Sequence, residues 1–240
     1  MIKIVITRPR EKTKSTLTLA QDFGFGALSF PLLKLAPVYP VNLNRPLSEY
    51  NWVLFTSSNA IHFFVDYCNK ENIRFPAHIK FAAVGPGTAQ TLQSFGLTPS
   101  FVPYVFNRTA VSRQLPVRKR EVVLYPALAD GPESTEKVLK ERGCVTDRFN
   151  VYRSTPLIYN DREWQALAKN NPEVISFFSP RTIQAFFKNK QDSVDLNKYV
   201  IAVLAPSGAA ELKKFGYHAD ITADIPIVQN LFQGIKKYYE

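Results

Sequence analysis

One stretch of the sequence combines residue types suited to binding an anion. Residues 81–96 (FAAVGPGTAQTLQSFG) predict a buried strand, a turn that holds Gly85, Pro86 and Gly87, and a helix with Thr88 at its start. Such a turn directs the free backbone N–H groups of the helix N-terminus towards whatever lies above the sheet. The predicted chemistry is recognition of a negatively charged group; the alternative is that the glycines only serve a tight turn.

This stretch recurs in the second half of the chain. Residues 200–216 (VIAVLAPSGAAELKKFG) repeat its layout, with Ser207 in the turn. Four pairs of residues keep a spacing of 119 to 122, namely Gly24 and Gly143, Ile61 and Ile183, Pro86 and Pro206, and Gly96 and Gly216. The chain therefore contains two related halves of about 120 residues.

Other predicted strands also end in turns rich in hydroxyl and basic groups. The turns are Thr7-Arg8-Pro9, Thr56-Ser57-Ser58-Asn59 and Ser179-Pro180-Arg181. Ligands bind open parallel sheets at the carboxyl ends of the strands, where these turns lie. Two interpretations stay open: the serines act in binding or only as helix N-caps, and the arginines bind a ligand or are surface residues.

The sequence lacks the motifs of the common catalytic and cofactor sites. It contains no GxSxG elbow, no HExxH motif, no GxGxxG fingerprint and no GxxxxGK[ST] loop. The three histidines stand apart from the predicted turns or inside a helix, and Cys68 and Cys144 form no metal-binding or disulfide pattern. We therefore expect no zinc site and no disulfide framework, and a site that holds its ligand through N–H and hydroxyl donors.

Composition and charge indicate which ligands, nucleic acids or membranes the protein could bind. The formal net charge is +10, yet no basic helix or nucleic-acid-binding motif is present, so we expect no nucleic acid. The charge suits a small ligand with several carboxylates; the alternative is a basic surface that is only solvated. The N-terminus becomes charged after four apolar positions, unlike a signal peptide, and no apolar run reaches the ~18 residues of a membrane span. We expect a cytoplasmic protein with no membrane association.

Strands and helices alternate throughout, which predicts an α/β fold with parallel sheets. Proline-marked connectors at about residues 35–41 and 152–157 do not coincide with the repeat junction near residue 120. One domain is therefore predicted to be discontinuous. It would join residues 1–35 to residues 156–240, while residues 38–152 would form the other domain.

Six segments of the chain form a recognisable series. In order, they are Thr7-Arg8-Pro9, WVLFTSSNA, AAVGPGTAQTL, Val151-Tyr152-Arg153, FFSPRTI and LAPSGAAEL followed by Gly216. Each segment alone is only a strand, a turn or a helix start, but six in this order and at this spacing are far more specific. With them the chain resembles the uroporphyrinogen-III synthase family over nearly its whole length.

The resemblance implies two α/β domains, each a parallel sheet flanked by helices, joined by a two-stranded linker with a cleft between them. It implies a cyclising lyase without metal or cofactor. The family converts hydroxymethylbilane to uroporphyrinogen III, with loss of water and inversion of ring D, in haem biosynthesis. We expect a monomer that receives this substrate from hydroxymethylbilane synthase.

The resemblance also assigns roles to residues. Tyr152 matches the connector tyrosine that is proposed in the family to assist departure of the hydroxyl; the alternative for a tyrosine at a strand end is packing. The residues expected to bind the substrate carboxylates are Arg8, Ser57, Ser58, Gly85, Thr88, Ser179, Arg181 and Ser207. A competing hypothesis is a non-catalytic two-lobed binding protein for an anionic small molecule, descended from such a synthase.

Overall fold

The computed structural model describes residues 1–39, 42–190 and 194–240. The strands are β1 (Lys3–Ile6), β2 (Gly26–Ser29), β3 (Leu33–Pro37), β4 (Trp52–Phe55), β5 (Lys80–Ala83), β6 (Pro99–Phe101), β7 (Val122–Leu128), β8 (Val145–Pro156), β9 (Val174–Phe177), β10 (Val200–Val203) and β11 (Ile221–Thr222). The helices are α1 (Arg10–Asp22), α2 (Ser58–Lys70), α3 (Pro86–Ser94), α4 (Arg108–Gln114), α5 (Ser134–Glu141), α6 (Asp161–Lys169), α7 (Pro180–Asn189), α8 (Pro206–Lys213) and α9 (Val228–Tyr239). Strands and helices alternate, as the sequence predicts.

The chain divides into two compact units. Unit 1 comprises Met1–Leu35 and Ser154–Glu240, and unit 2 comprises Ala36–Arg153. Unit 1 is thus discontinuous in sequence, with unit 2 inserted into it.

The sheet of unit 1 is parallel and has the strand order β11-β10-β9-β1-β2. Successive residues of β1 point to opposite faces: Val5 packs in one buried cluster, and Ile4 and Ile6 pack in another. A sheet covered on both faces needs apolar residues at every strand position, which explains the continuous apolar runs in the sequence.

The sheet of unit 2 has the strand order β3-β8-β7-β4-β5-β6. Strands β4 to β8 pair in parallel, and their order β6-β5-β4-β7-β8 reproduces the order β11-β10-β9-β1-β2 of unit 1. Each unit therefore has the same five-stranded arrangement. The internal repeat that the residue spacings predict corresponds to this shared arrangement.

The two proline-marked connectors contain parts of the neighbouring strands β3 and β8. Strands β2 and β3 are separate, because Pro31 between them has no N–H group for a sheet ladder. Residues 152–156 belong to the long strand β8. The backbone N–H of Val38 bonds the carbonyl of Val151 at 3.0 Å. Pro40 and Val41, which we placed in the first connector, lie outside the described residues.

Four helices end in the same way, at Gly24, Gly96, Gly143 and Gly216. All four glycines have φ between 74° and 81°. The N–H after each glycine bonds the carbonyl five residues earlier, as Leu97 does with Leu92 at 3.0 Å. This is the Schellman ending, in which glycine avoids the steric cost of the left-handed conformation.

Replacement of Gly96 by alanine should therefore lower the free energy of unfolding by about 1–2 kcal/mol, although a Cβ there would meet no atom within 4 Å. Urea unfolding can measure the change. Gly96→Asn is the matched control and should lose less, because asparagine tolerates the left-handed region. Equal losses in the two variants would contradict a backbone origin.

Candidate functional site

Each sheet has one pair of neighbouring strands from which the connections to the next strands run to opposite sides of the sheet. In unit 1 this pair is β1 and β9, and in unit 2 it is β4 and β7. Ligands of open α/β sheets bind beyond the carboxyl ends of such strand pairs. The turns that the sequence singled out after β1, β4 and β9 lie at these two places.

Ser57 in unit 2 makes two hydrogen bonds through its side chain. It is the N-cap of α2, and its Oγ accepts a hydrogen bond from the backbone N–H of Ala60 at 3.1 Å. The same Oγ lies 3.1 Å from the Oη of Tyr152, where either hydroxyl can be the donor. The structure therefore brings together a predicted binding serine and the predicted catalytic tyrosine, which are 95 residues apart in sequence.

The packing around Tyr152 fixes its ring. The residue is only 6% exposed. Its ring stacks on Phe63 with the ring planes 8° apart and the centroids 5.2 Å apart. Its carbonyl accepts a hydrogen bond of 2.8 Å from the N–H of Ala129, in the loop after β7. Tyr152 thus packs as an ordinary strand residue and also directs its hydroxyl to a site turn.

Neighbouring hydroxyls extend this polar group. Thr56 Oγ1 lies 3.1 Å from Tyr125 Oη, and Ser58 donates to the carbonyl of Gly87 at 3.2 Å. Tyr125 and Gly87 belong to β7 and to the first turn of α3, so the hydrogen bonds link the ends of three neighbouring elements. Sequence reasoning missed the contact between Thr56 and Tyr125, since nothing in the spacing pairs them.

Gly85 and Thr88 are placed differently from what we expected. Gly85 is the N-cap of α3 with φ of 177°, which is extended backbone, so the tight-turn explanation of this glycine is wrong. A Cβ at Gly85 would lie 3.1 Å from the Cβ of Phe106, and this close approach explains the glycine. Thr88 stands in the first turn of α3 and is 6% exposed, so it is not the residue that caps the helix.

The carboxyl ends of β1 and β9 in unit 1 are joined by buried hydroxyl contacts. Thr7 Oγ1 donates to the carbonyl of Ser176 at 2.7 Å, and Ser176 Oγ donates to the carbonyl of Val5 at 2.6 Å. All three residues are at most 1% exposed. Buried polar groups that are satisfied in this way hold neighbouring strands in a defined position, and so fix the turns that follow them.

Arg8 lies directly beyond this contact. Its guanidinium lies over the ring of Phe178, 5.3 Å from the centroid, and donates from Nη1 to Thr16 Oγ1 at 3.0 Å. Burial lowers the pKa of this guanidinium below its ordinary value. Within the described residues Arg8 has no carboxylate at ion-pair distance.

Lys12 is a basic residue that sequence reasoning missed. It lies one turn before Thr16 on α1, so its side chain shares a helix face with the group that holds Arg8. Burial, and secondarily the charge of Arg8, lower the pKa of Lys12 to about 8. Sequence spacing does not signal this pair, because Arg8 precedes the helix that carries Lys12.

The remaining predicted residues lie at the starts of α7 and α8. Ser179 caps α7, accepting from the N–H of Thr182 at 3.3 Å. Arg181 is the second residue of α7 and is half-buried, with contacts of its own. Ser207 is exposed. Gly208 occupies the position that Thr88 has in unit 2, and a Cβ there would lie 3.2 Å from the Cβ of Val203.

The described residues also bear on two other kinds of site. Among residues 1–39, 42–190 and 194–240, no three His, Cys, Asp or Glu side chains are grouped as metal ligands. No helix in the same part of the chain has the length and apolar character needed to cross a bilayer.

Comparison with known proteins identifies the family. The model of the family described as uroporphyrinogen-III synthase HemD matches residues 14–233. The chain belongs to the uroporphyrinogen-III synthase family. The resemblance noted from the six sequence segments is thereby confirmed.

Individual relatives agree with this family at low identity. The uroporphyrinogen-III synthase of Chlorobaculum parvum is 24% identical, over 92% of this chain and 92% of its own. The porphyrin biosynthesis protein HemD of Ruminiclostridium josui is 25% identical over 89% of this chain, which spans only 44% of that longer protein.

Solved structures of family members share the fold. A mutant uroporphyrinogen III synthase from Thermus thermophilus superposes with a TM-score of 0.69, covering 100% of this chain and 99% of its own, at 18% identity. The synthetase from Helicobacter pylori gives 0.65 at 18% identity, with both chains fully covered. At this identity the likeness shows the fold, which is the predicted α/β architecture.

Proposed function

We propose that the protein is a uroporphyrinogen-III synthase, which closes hydroxymethylbilane to uroporphyrinogen III with inversion of ring D and loss of water. The observation that carries this proposal is the family match over residues 14–233. The turns of both units support it, because their N–H, hydroxyl and cationic groups suit a substrate with eight carboxylates.

The first chemical step is departure of the substrate's hydroxyl. In the proposed mechanism the phenol of Tyr152 donates its proton to this oxygen while the C–O bond breaks, so that water leaves and a pyrrole-stabilised azafulvene cation remains. Ser57 can donate to Tyr152 Oη, which leaves the phenol's own hydrogen free to be donated to the substrate oxygen. The same hydrogen bond stabilises the phenolate as it forms. The proton that ring D releases when it regains aromaticity restores the phenol.

The later steps depend mainly on positioning. Ring D must be attacked at its substituted carbon to give a spiro intermediate, which then fragments and recloses, so the chain must be held bent. We propose that Arg8 and Lys12 bind one carboxylate. The remaining contacts are proposed for Ser57, Ser58, Gly85, Thr88, Ser179, Arg181 and Ser207, with Gly85 acting through its backbone N–H group because the residue is buried.

The wider context of the activity is also a proposal. We propose a monomer of two separately folded domains that acts in the cytoplasm and receives its substrate from hydroxymethylbilane synthase. The formal net charge of +10 supports capture of a polyanionic substrate.

The deciding experiment uses freshly generated hydroxymethylbilane. The protein is incubated with it, and the uroporphyrin isomers are separated after oxidation. We expect predominantly the type III isomer. Formation of type I alone, which is the product of unassisted closure, would contradict the synthase and favour the non-catalytic binding protein.

A further inference from the structure

Arg148 on β8 makes an unusually complete set of contacts for a residue outside the predicted site. Its Nε donates to Asn150 at 2.8 Å, and its Nη1 pairs with the carboxylate of Glu136. Its Nη2 donates to the carbonyls of Leu128 and Gly131, the two ends of the loop after β7. The planar guanidinium therefore clamps this loop at both ends, which a lysine could not do.

The loop is built to accept this clamp. A Cβ on Gly131 would lie 3.2 Å from Arg148 Nη2 and 3.1 Å from the carbonyl oxygen of Leu128, so a side chain here would crowd both contacts. Both partners of the ion pair are less than a fifth exposed, with Arg148 at 18% and Glu136 at 19%. An ion pair in this setting is better shielded from salt and water than one on the surface.

Two separate routes lead from Arg148 to Tyr152. In the first, the clamped loop presents the N–H of Ala129 to the carbonyl of Tyr152 at 2.8 Å. In the second, the guanidinium lies over the ring of Tyr125, 5.7 Å from its centroid, and the Oη of Tyr125 reaches Thr56. Thr56 precedes Ser57, which contacts the hydroxyl of Tyr152.

We infer that Arg148 is a positioning residue for the reaction, which holds the backbone and the hydroxyl partner of Tyr152 in place through the loop 128–131 and through Tyr125. This inference rests on the proposed function. Arg148 need not touch the substrate, since it acts on Tyr152 through the loop 128–131 and through Tyr125. Its removal should therefore lower kcat and leave KM nearly unchanged.

The test is Arg148→Lys, which keeps the charge and loses the fork. Loss of hydrogen bonds to a charged donor should lower kcat about tenfold. In a Tyr152→Phe background the same substitution should lower kcat less than about twofold, because residues that act as one unit are non-additive. A merely structural role would give equal factors in both backgrounds and would overturn the inference.

Arg45→Lys is the matched control. Arg45 also pairs with a carboxylate, Asp147, and also lies over a tyrosine ring, that of Tyr50 at 5.8 Å, but it does not contact the loop 128–131. We expect kcat of this variant within about twofold of wild type. A tenfold loss in Arg45→Lys would show that any such arginine matters and would overturn the specific role of Arg148.

Hydrogen exchange gives a readout that needs no activity. The amide of Ala129 should exchange about tenfold faster in Arg148→Lys and at the wild-type rate in Arg45→Lys. If wild-type protein formed only the type I isomer, the proposed function would fail, and unchanged exchange at Ala129 would separately overturn the clamp. Should Arg148→Lys not fold, Glu136→Gln tests the same clamp, with faster exchange expected and an unchanged rate contradicting it.

Discussion

Tyr152→Phe is expected to lower the turnover of hydroxymethylbilane about 100-fold and to leave product affinity unchanged. The substitution removes one hydroxyl from a ring that stays packed against Phe63. General acid catalysis contributes about 10² to 10⁴ in rate, and the lower end applies because the pyrrole already stabilises the cation that forms. Loss of this phenol should therefore affect the rate of hydroxyl departure and little else.

The isomer ratio reports this effect sensitively. Substrate that the enzyme does not convert closes spontaneously to the type I product, so a slower enzyme should yield a larger share of type I at equal protein concentration. Turnover measured from type III formation gives kcat. Product affinity, measured by titration with uroporphyrinogen III under reducing conditions, should stay within about threefold, a free-energy change below ~1 kcal/mol.

Tyr159→Phe is the matched control. Tyr159 lies in unit 1, and its hydroxyl donates to the carbonyl of Pro31 at 2.7 Å rather than to a hydroxyl of a site turn. Its loss should cost about 1 kcal/mol of stability without a change in turnover. An unchanged rate in Tyr152→Phe would remove Tyr152 from the catalytic mechanism.

Much of the fold follows from local signals. Short apolar runs followed by hydroxyl-rich turns predict the strand and helix starts at Ser57 and Ser179, and paired glycines predict the helix ends. Two helices went unpredicted, α4 and α6. The start of α6 was visible in principle, because Asn160 and Glu163 form a capping box. The separation of β2 from β3 at Pro31 is predictable only from the rule that proline cannot donate to a sheet ladder.

The site was harder to predict than the fold, because its contacts join residues distant in sequence. Ser57 and Tyr152 stand 95 residues apart, and Thr56 and Tyr125 stand 69 apart. Periodicity reports which face a residue occupies and cannot pair it with a residue of another element. Family resemblance supplied Tyr152, whereas Arg148 follows only from the three-dimensional contacts.

The lowered pKa of Lys12 shows whether its charge stabilises the fold or costs stability. Its folded-state pKa of about 8 lies below the ordinary value of 10.5. Between these two values the unfolded chain binds more protons than the folded one, so stability rises with pH across that window. Below pH 8 the protein holds this ammonium group at a cost of about 1–3 kcal/mol. Among the described residues no carboxylate pairs with Lys12. Such an uncompensated cost is expected at a position where a ligand carboxylate offsets it.

Lys12→Met should therefore have opposite effects on stability and on binding. At pH 7 the free energy of unfolding of the variant should be higher by about 1–3 kcal/mol, because the buried charge is gone. The variant should therefore unfold at a higher urea concentration. Its KM for hydroxymethylbilane should rise about tenfold through the lost charge-assisted contact. The wild-type KM should rise as pH increases through about 8, as Lys12 loses its proton, and the KM of the variant should lack this rise.

Lys14→Met is the control on the same helix, since Lys14 is exposed and its charge is already solvated. It should change neither the urea midpoint nor KM appreciably. A Lys12→Met protein that is destabilised would show that the ammonium stabilises the fold. Unchanged KM together with increased stability would mean that the charge is tolerated without a role in binding. Only a more stable protein with weaker binding fits a cation whose role is to bind the substrate, because the buried ammonium group by itself lowers the stability of the fold.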